Sequence, residues 1–130
     1  MEDQTLPQMF IKQAKSRGEN SVSVRQKEFG IWREFSWQES YEQVKYFALG
    51  MIALGLQRGD HVCSIGDNDR EYLWGFLGMQ AAGAAIVGLY TDAIPSEMEY
   101  IINHSDATFA LAKNQEQVDK LLELKDKAPQ

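Results

Sequence analysis

The stretch that decides the fold is Gly59–Tyr90, GDHVCSIGDNDREYLWGFLGMQAAGAAIVGLY. His61–Ile65 reads as a short strand entered from the turn Arg58-Gly59-Asp60. Asp67, Asn68 and Asp69 then offer oxygens that can cap a helix running to about Ala82. Gly83 stops that helix, and Ala84–Leu89 follows as an unbroken apolar run, the mark of a parallel strand covered on both faces. Tyr72–Thr91 carries no charged side chain and is long enough to span a bilayer. Its glycines, Gln80 and the change from helical to strand periodicity at Gly83 favour a buried helix followed by a buried strand.

Working outward, Pro95 opens a helix with Met98, Ile101 and Ile102 inward, its cap open between Asp92, Ala93 and Ser96. Thr108–Leu111 is the next strand, and Asn114 with Gln117 starts a helix that buries Val118, Leu121 and Leu122. Upstream, a helix begins after Thr5 with Pro7 in its first turn, burying Leu6, Met9, Phe10 and Ala14, and ends at Gly18. Strands Ser21–Arg25 and Ile31–Phe35 flank the turn Lys27-Glu28-Phe29-Gly30. Ser36 and Glu39 form a capping box for a helix whose inward stripe is Trp37, Tyr41, Val44, Ala48 and Met51, stopped at Gly55.

The fold class is therefore α/β: an N-terminal helix and β-hairpin, then a parallel βαβαβα unit. Residues 1–55 hold helix, hairpin and helix, and residues 56–127 the parallel unit. A hydrophobic content of 44% supplies one real core, whereas a net charge of −6 with scattered basic residues argues against a nucleic-acid surface. The acidic N-terminus has no basic segment followed by an apolar one, so no signal peptide is read there, and cytoplasm is the expected location.

Chemistry is sparse. The loop Gly66-Asp67-Asn68 lies where a parallel strand enters a helix, the crevice in which open α/β sheets bind ligands, and Tyr90-Thr91 forms its other lip. Caps and tight turns account for the same residues more simply. His61 and His104 have no nucleophile placed beside them by any motif, and Cys63 alternates within an apolar strand as a buried, inert thiol would. Neither GxGxxG nor GxxxxGK followed by Ser or Thr occurs, and a single Cys with two His gives no zinc-ligand spacing. No catalytic, cofactor-binding or metal-ligating residue is assigned.

Three ordered segments say more than any one residue: EFSWQESYEQV (34–44), GLQRGDHVCSIGDNDREYLWGFLGMQAAGAAIVGLYTD (55–92) and EMEYIINHSDATFALAKNQEQVDKLLEL (97–124). Together they resemble the N-terminal part of the adenylate-forming, AMP-binding acyl-CoA synthetases, most nearly the long-chain fatty-acid:CoA ligases of bacterial type. The resemblance runs from about Leu6 to Gln130, with FSWQES and AAGAAIVGLY similar to two conserved blocks of the family; Ala93 and Pro95 depart from its usual helix entry. It implies that the chain is an incomplete portion of a larger domain. It also implies an enzyme using ATP with Mg2+, a fatty acid and coenzyme A, with a phosphate-holding Ser/Thr/Gly-rich loop, a Thr-Glu segment, a ribose aspartate and a C-terminal lysine lying downstream. No ligand is expected to bind these residues tightly on their own, and an unfinished sheet implies self-association. Long-chain substrates leave peripheral membrane contact open, with no transmembrane segment. A free-standing α/β binding module that kept the fold without the reaction is the alternative.

Overall fold

The computed structural model describes residues 4–130. Helix α1 (Leu6–Arg17) starts at a capping box in which Thr5 Oγ1 accepts from the Gln8 N–H and Gln8 Oε1 accepts from the Thr5 N–H. A short 3-10 turn leads into the antiparallel hairpin of β1 (Val22–Glu28) and β2 (Ile31–Ser36). The hairpin is tighter than the four-residue turn predicted from sequence, because Glu28 pairs directly with Ile31 across Phe29-Gly30. Both loop residues have positive φ, 49° and 79°, the backbone of a primed two-residue turn that matches the strand twist.

Ser36 and Glu39 cap α2 (Trp37–Ala53) reciprocally, as predicted. The parallel unit follows as β3 (His61–Ile65), α3 (Arg70–Ala81), β4 (Ala85–Leu89), α4 (Pro95–Ser105), β5 (Phe109–Ala112) and α5 (Gln115–Glu123). Strand order is β4-β3-β5, all parallel, with the second crossover carrying the chain past the central strand. Side chains alternate between two helical layers. Val62, Ile86, Phe109 and Leu111 pack with Met79 of α3, whereas Cys63, Ile65, Val87 and Leu89 pack with Met98 and Ile102 of α4 and with Leu121 and Leu124. The apolar stretch Tyr72–Thr91 is thus shared by a helix, a turn and a sheet strand, and among the described residues no helix is long and apolar enough to cross a membrane.

Three details differ from the sequence reading. The α4 cap is Ile94, none of the three predicted candidates; the residue before a proline is driven into extended backbone, and Glu97 Oε2 accepts its N–H. Leu6 and Met9 are 55% and 50% exposed rather than buried, because α1 seats itself on Pro7 and Ala14 instead. Leu122 is also exposed, and Leu124, just past the helix end, fills the core in its place.

Cys63 is buried, and desolvation pushes its thiol above its ordinary pKa, opposed by a hydrogen bond with Ser105. The folded chain therefore holds the proton to higher pH than the unfolded chain does. The resulting stabilisation is complete below the unfolded thiol's pKa, about 8.5, and is lost as pH rises toward the folded value. Urea unfolding should show wild type losing more stability than Cys63→Ala between pH 8 and 10, and the native thiol should resist a disulfide reagent until denatured. Parallel pH profiles for the two chains would contradict this.

Candidate functional site: the carboxyl edge of the parallel sheet

In-register pairing of Ile65 with both Leu89 and Ala112 brings the ends of all three strands to one edge. The loop after β3 holds itself together. Asp69 caps α3 by accepting from the Tyr72 N–H at 3.0 Å, while the Asp69 N–H donates to the Asp67 carbonyl at 2.8 Å. The Lys113 N–H donates to the Ile65 carbonyl at 2.9 Å, which sets the lysine beside this loop, and its Nζ pairs with Asp67.

Between β3, β5 and α2 lies a cavity of about 310 Å³ lined by Phe47, Ile65, Gly66, Tyr72, Leu111 and Lys113. Glycine at 66 is a requirement of this packing: a Cβ there would stand 2.9 Å from Tyr72 Cδ2. The cavity lies on the α2 and α3 side of the sheet, and Asp69 and Glu71 also line it.

Of the residues read from sequence, Gly66 lines the cavity, Asp67 sits in its ion pair with Lys113, and Asn68 is exposed. The other lip faces elsewhere. Tyr90 is 81% exposed, and the Thr91 carbonyl accepts from Gln117 Nε2 at 3.1 Å and Lys120 Nζ at 2.7 Å, both on α5. The two lips therefore share the sheet edge without lining one chamber. Sequence reasoning missed Tyr72, Lys113, Gln117 and Lys120. Only Lys113 had a readable signal, since it directly follows a predicted strand and so falls on the same edge.

The chemistry of this edge is mostly spent on structure. Asp69 is a helix cap, Asp67 is paired, and Glu71 Oε1 receives Arg70 Nε at 2.7 Å. The cations described at this edge, Lys113, Arg70 and Lys120, are each already engaged, by Asp67, by Glu28 and Glu71, and by the Thr91 carbonyl, so the described residues do not fit a nucleoside triphosphate. Among the described residues no group of three or more His, Cys, Asp or Glu could hold a metal ion. The histidines also have structural contacts: His61 Nδ1 meets the Ser105 carbonyl, and His104 stacks on Tyr100 with ring centroids 5.6 Å apart.

Comparison with known proteins supplies the identity that local chemistry does not. The AMP-binding enzyme family matches residues 10–130. A long-chain-fatty-acid–CoA ligase of Xenopus laevis is 30% identical over 125 residues, covering 96% of this chain and 17% of that protein. A 4-hydroxybutyrate–CoA ligase of Metallosphaera sedula is 30% identical over 122 residues, covering 92% of this chain and 21% of its own length. The chain thus spans about a fifth or less of the relatives it matches. In fold it superposes on the anthranilate CoA ligase AuaEII in complex with anthranoyl-AMP, with a TM-score of 0.84 at 20% identity, covering 95% of this chain and 23% of that one. VinN gives a TM-score of 0.85 at 20% identity, over 95% of this chain and 30% of its own. The expected α/β architecture and the ordered three-segment resemblance are both met: this chain belongs to the AMP-binding enzyme family.

Proposed function

We propose that residues 1–130 form the N-terminal portion of the large domain of an ATP-dependent acyl-CoA synthetase. That enzyme would join a fatty acid to coenzyme A through an acyl-adenylate, releasing AMP and pyrophosphate, with Mg2+ accompanying ATP. The observation that carries this is the family match along nearly the whole chain. In this reading the present residues build the strands and caps that other parts of the protein use. Gly66, Asp67, Asn68, Tyr90 and Thr91 form the lips of the crevice rather than its reacting groups. The location proposed is cytoplasmic, with membrane contact no more than peripheral.

Competence is tested directly by acid-dependent exchange of labelled pyrophosphate into ATP. The chain alone is expected to give a blank, and turnover above background would overturn the proposal. A second consequence concerns assembly. β4 and β5 are both edges of a three-stranded sheet, and large apolar side chains such as Ile52 and Leu54 are exposed. Light scattering should therefore find self-association of the isolated chain at micromolar concentration. A monodisperse monomer would count against an unfinished domain.

A further inference from the structure

The β-hairpin carries apolar side chains on the outside of its tip. Arg70 holds the hairpin's inner face as far out as Glu28, and beyond Glu28 the chain is bare: Phe29 is fully exposed, and Ile31 and Trp32 are 68% and 60% exposed. Turn chemistry does not account for Phe29. Its φ of 49° lies in the left-handed region that two-residue hairpin loops fill with Asn, Asp or Gly, so a bulky side chain is strained there. Full exposure means that no packing within the described residues offsets the strain. A strained aromatic residue beside two more exposed apolar ones points to a contact made outside the chain.

Charge and depth indicate which surface it meets. Cross-strand register stacks the hairpin in layers behind Phe29-Gly30: Glu28 with Ile31, Lys27 with Trp32, Gln26 with Arg33, and Arg25 with Glu34. At about 3.4 Å per residue, the three cations sit roughly 7–14 Å behind the tip. Apolar side chains outermost, an indole next and long cationic side chains behind follow the order of a bilayer from acyl chains through the interface to the phosphates. The Arg25 guanidinium lies 6.0 Å from the Trp32 ring centroid, so cation and indole share one face. The carboxylates are occupied: Glu28 accepts from Arg33 Nε at 3.1 Å and from Arg70 Nη1 at 2.6 Å, and Glu34 from Arg25 Nη2 at 2.7 Å. Lys27 has no carboxylate partner among the described residues. With three cations and two carboxylates, residues 22–36 are net positive in a chain whose net charge is −6. From the bare tip, the strained Phe29 and this layering, we propose that the hairpin is a membrane-interface anchor. Phe29 and Ile31 enter the boundary between headgroups and acyl chains of a lipid bilayer, Trp32 lies at the interface, and Lys27 with the two arginines faces lipid phosphate. This gives the peripheral membrane contact proposed above its surface and rests on that part of the reading alone; its failure would leave the family membership and the pyrophosphate exchange result untouched.

The test is flotation of the full chain with vesicles on a density gradient, where vesicle-bound protein rises and self-associated protein sinks. Vesicles of pure phosphatidylcholine are compared with vesicles that also contain phosphatidylserine. Wild type is expected to float with both, about fivefold more tightly with the anionic ones, the contribution of one uncompensated cation. Phe29→Asn suits the positive φ, so its melting temperature should be no lower than that of wild type, yet it should bind either vesicle about tenfold more weakly. Lys27→Gln should weaken binding to the anionic vesicles alone. Brominated acyl chains should quench the tryptophan fluorescence of wild type but not of Trp32→Phe, because Trp37 and Trp74 stay behind the interface. Four results would overturn the proposal: no flotation, Phe29→Asn binding as tightly as wild type, Lys27→Gln binding anionic vesicles unchanged, or quenching that persists in Trp32→Phe. The first would instead assign the tip to contact with another stretch of polypeptide.

Discussion

Gly78→Val is expected to destabilise the chain by about 3 kcal/mol, the upper part of the range for overpacking a well-filled core, and to lower Tm by roughly 10 °C. Gly78 lies inside α3, where a glycine normally weakens the helix relative to alanine. Packing explains why it is there. A Cβ at this position would stand 2.6 Å from Phe47 Cβ, 2.9 Å from the Val44 carbonyl oxygen and 3.2 Å from the Ala48 nitrogen. Two of those atoms are backbone, so no rotamer change clears them and α2 must move away from α3. That movement would loosen the buried cluster of Val44, Trp74 and Leu77, and with it Phe47, which lines the sheet-edge cavity. Gly50 is also helical, but a Cβ there would meet nothing within 4 Å, so Gly50→Ala should stabilise by about 0.5–1 kcal/mol. Thermal melts of the two variants should therefore shift in opposite directions. If Gly78→Val melts within about 2 °C of wild type, the close helix contact is not a constraint.

That contrast also shows what a sequence can and cannot convey. The strand at Ala84–Leu89, the Ser36 and Glu39 box and the Asn114 cap are local signals, and each appears in the structure where the pattern places it, but β4 lies at a sheet edge with Leu89 its one fully buried residue instead of being covered on both faces. Gly50 and Gly78 look alike in the sequence, because what separates them is a neighbouring helix far along the chain. Leu6 and Met9 fail for the same reason: periodicity identifies an apolar face but not whether another element covers it. The hairpin tip fails differently. Phe29 adopts positive φ, a backbone that turn chemistry reserves mainly for Gly, Asn and Asp, so residue preference pointed to a longer turn. At the candidate site, the loop after β3 was legible because caps are local. The Lys113 partner of Asp67 and the α5 donors to Thr91 come from distant positions and depend on strand order β4-β3-β5, which no spacing rule reveals.

Arg70→Ala is expected to cost about 2 kcal/mol, less than breaking a fully buried pair, because Glu28 keeps Arg33 while the partly buried charge contacts of Arg70 and its cover of Phe35 are lost. Arg70 joins the hairpin to the parallel unit through its side chain and its backbone alike. Its Nη1 meets Glu28 Oε1 at 2.6 Å, its Nε meets Glu71 Oε1 at 2.7 Å, and its guanidinium lies 4.7 Å from the Phe35 ring centroid. Its backbone N–H donates to Gln26 Oε1 at 2.8 Å, a bond that survives substitution. The Arg70 side chain is only 15% exposed and Glu28 23%, so that pair is screened less than a surface pair, whereas the half-exposed Glu71 contributes little. Lysine has a point charge and no planar fork, so it can keep the attraction to one carboxylate but not both ion pairs together with the contact on the Phe35 ring. Arg70→Lys should consequently recover less than half of the loss. The damage should also be local: amide exchange should accelerate across β1 and β2, where Arg33 alone would remain to pair with Glu28, before it accelerates in β3, whose side chains fill the core. Uniform acceleration over the whole chain, or a lysine variant as stable as wild type, would show that the hairpin is held by apolar packing of Phe35 on Trp74 rather than by this arginine.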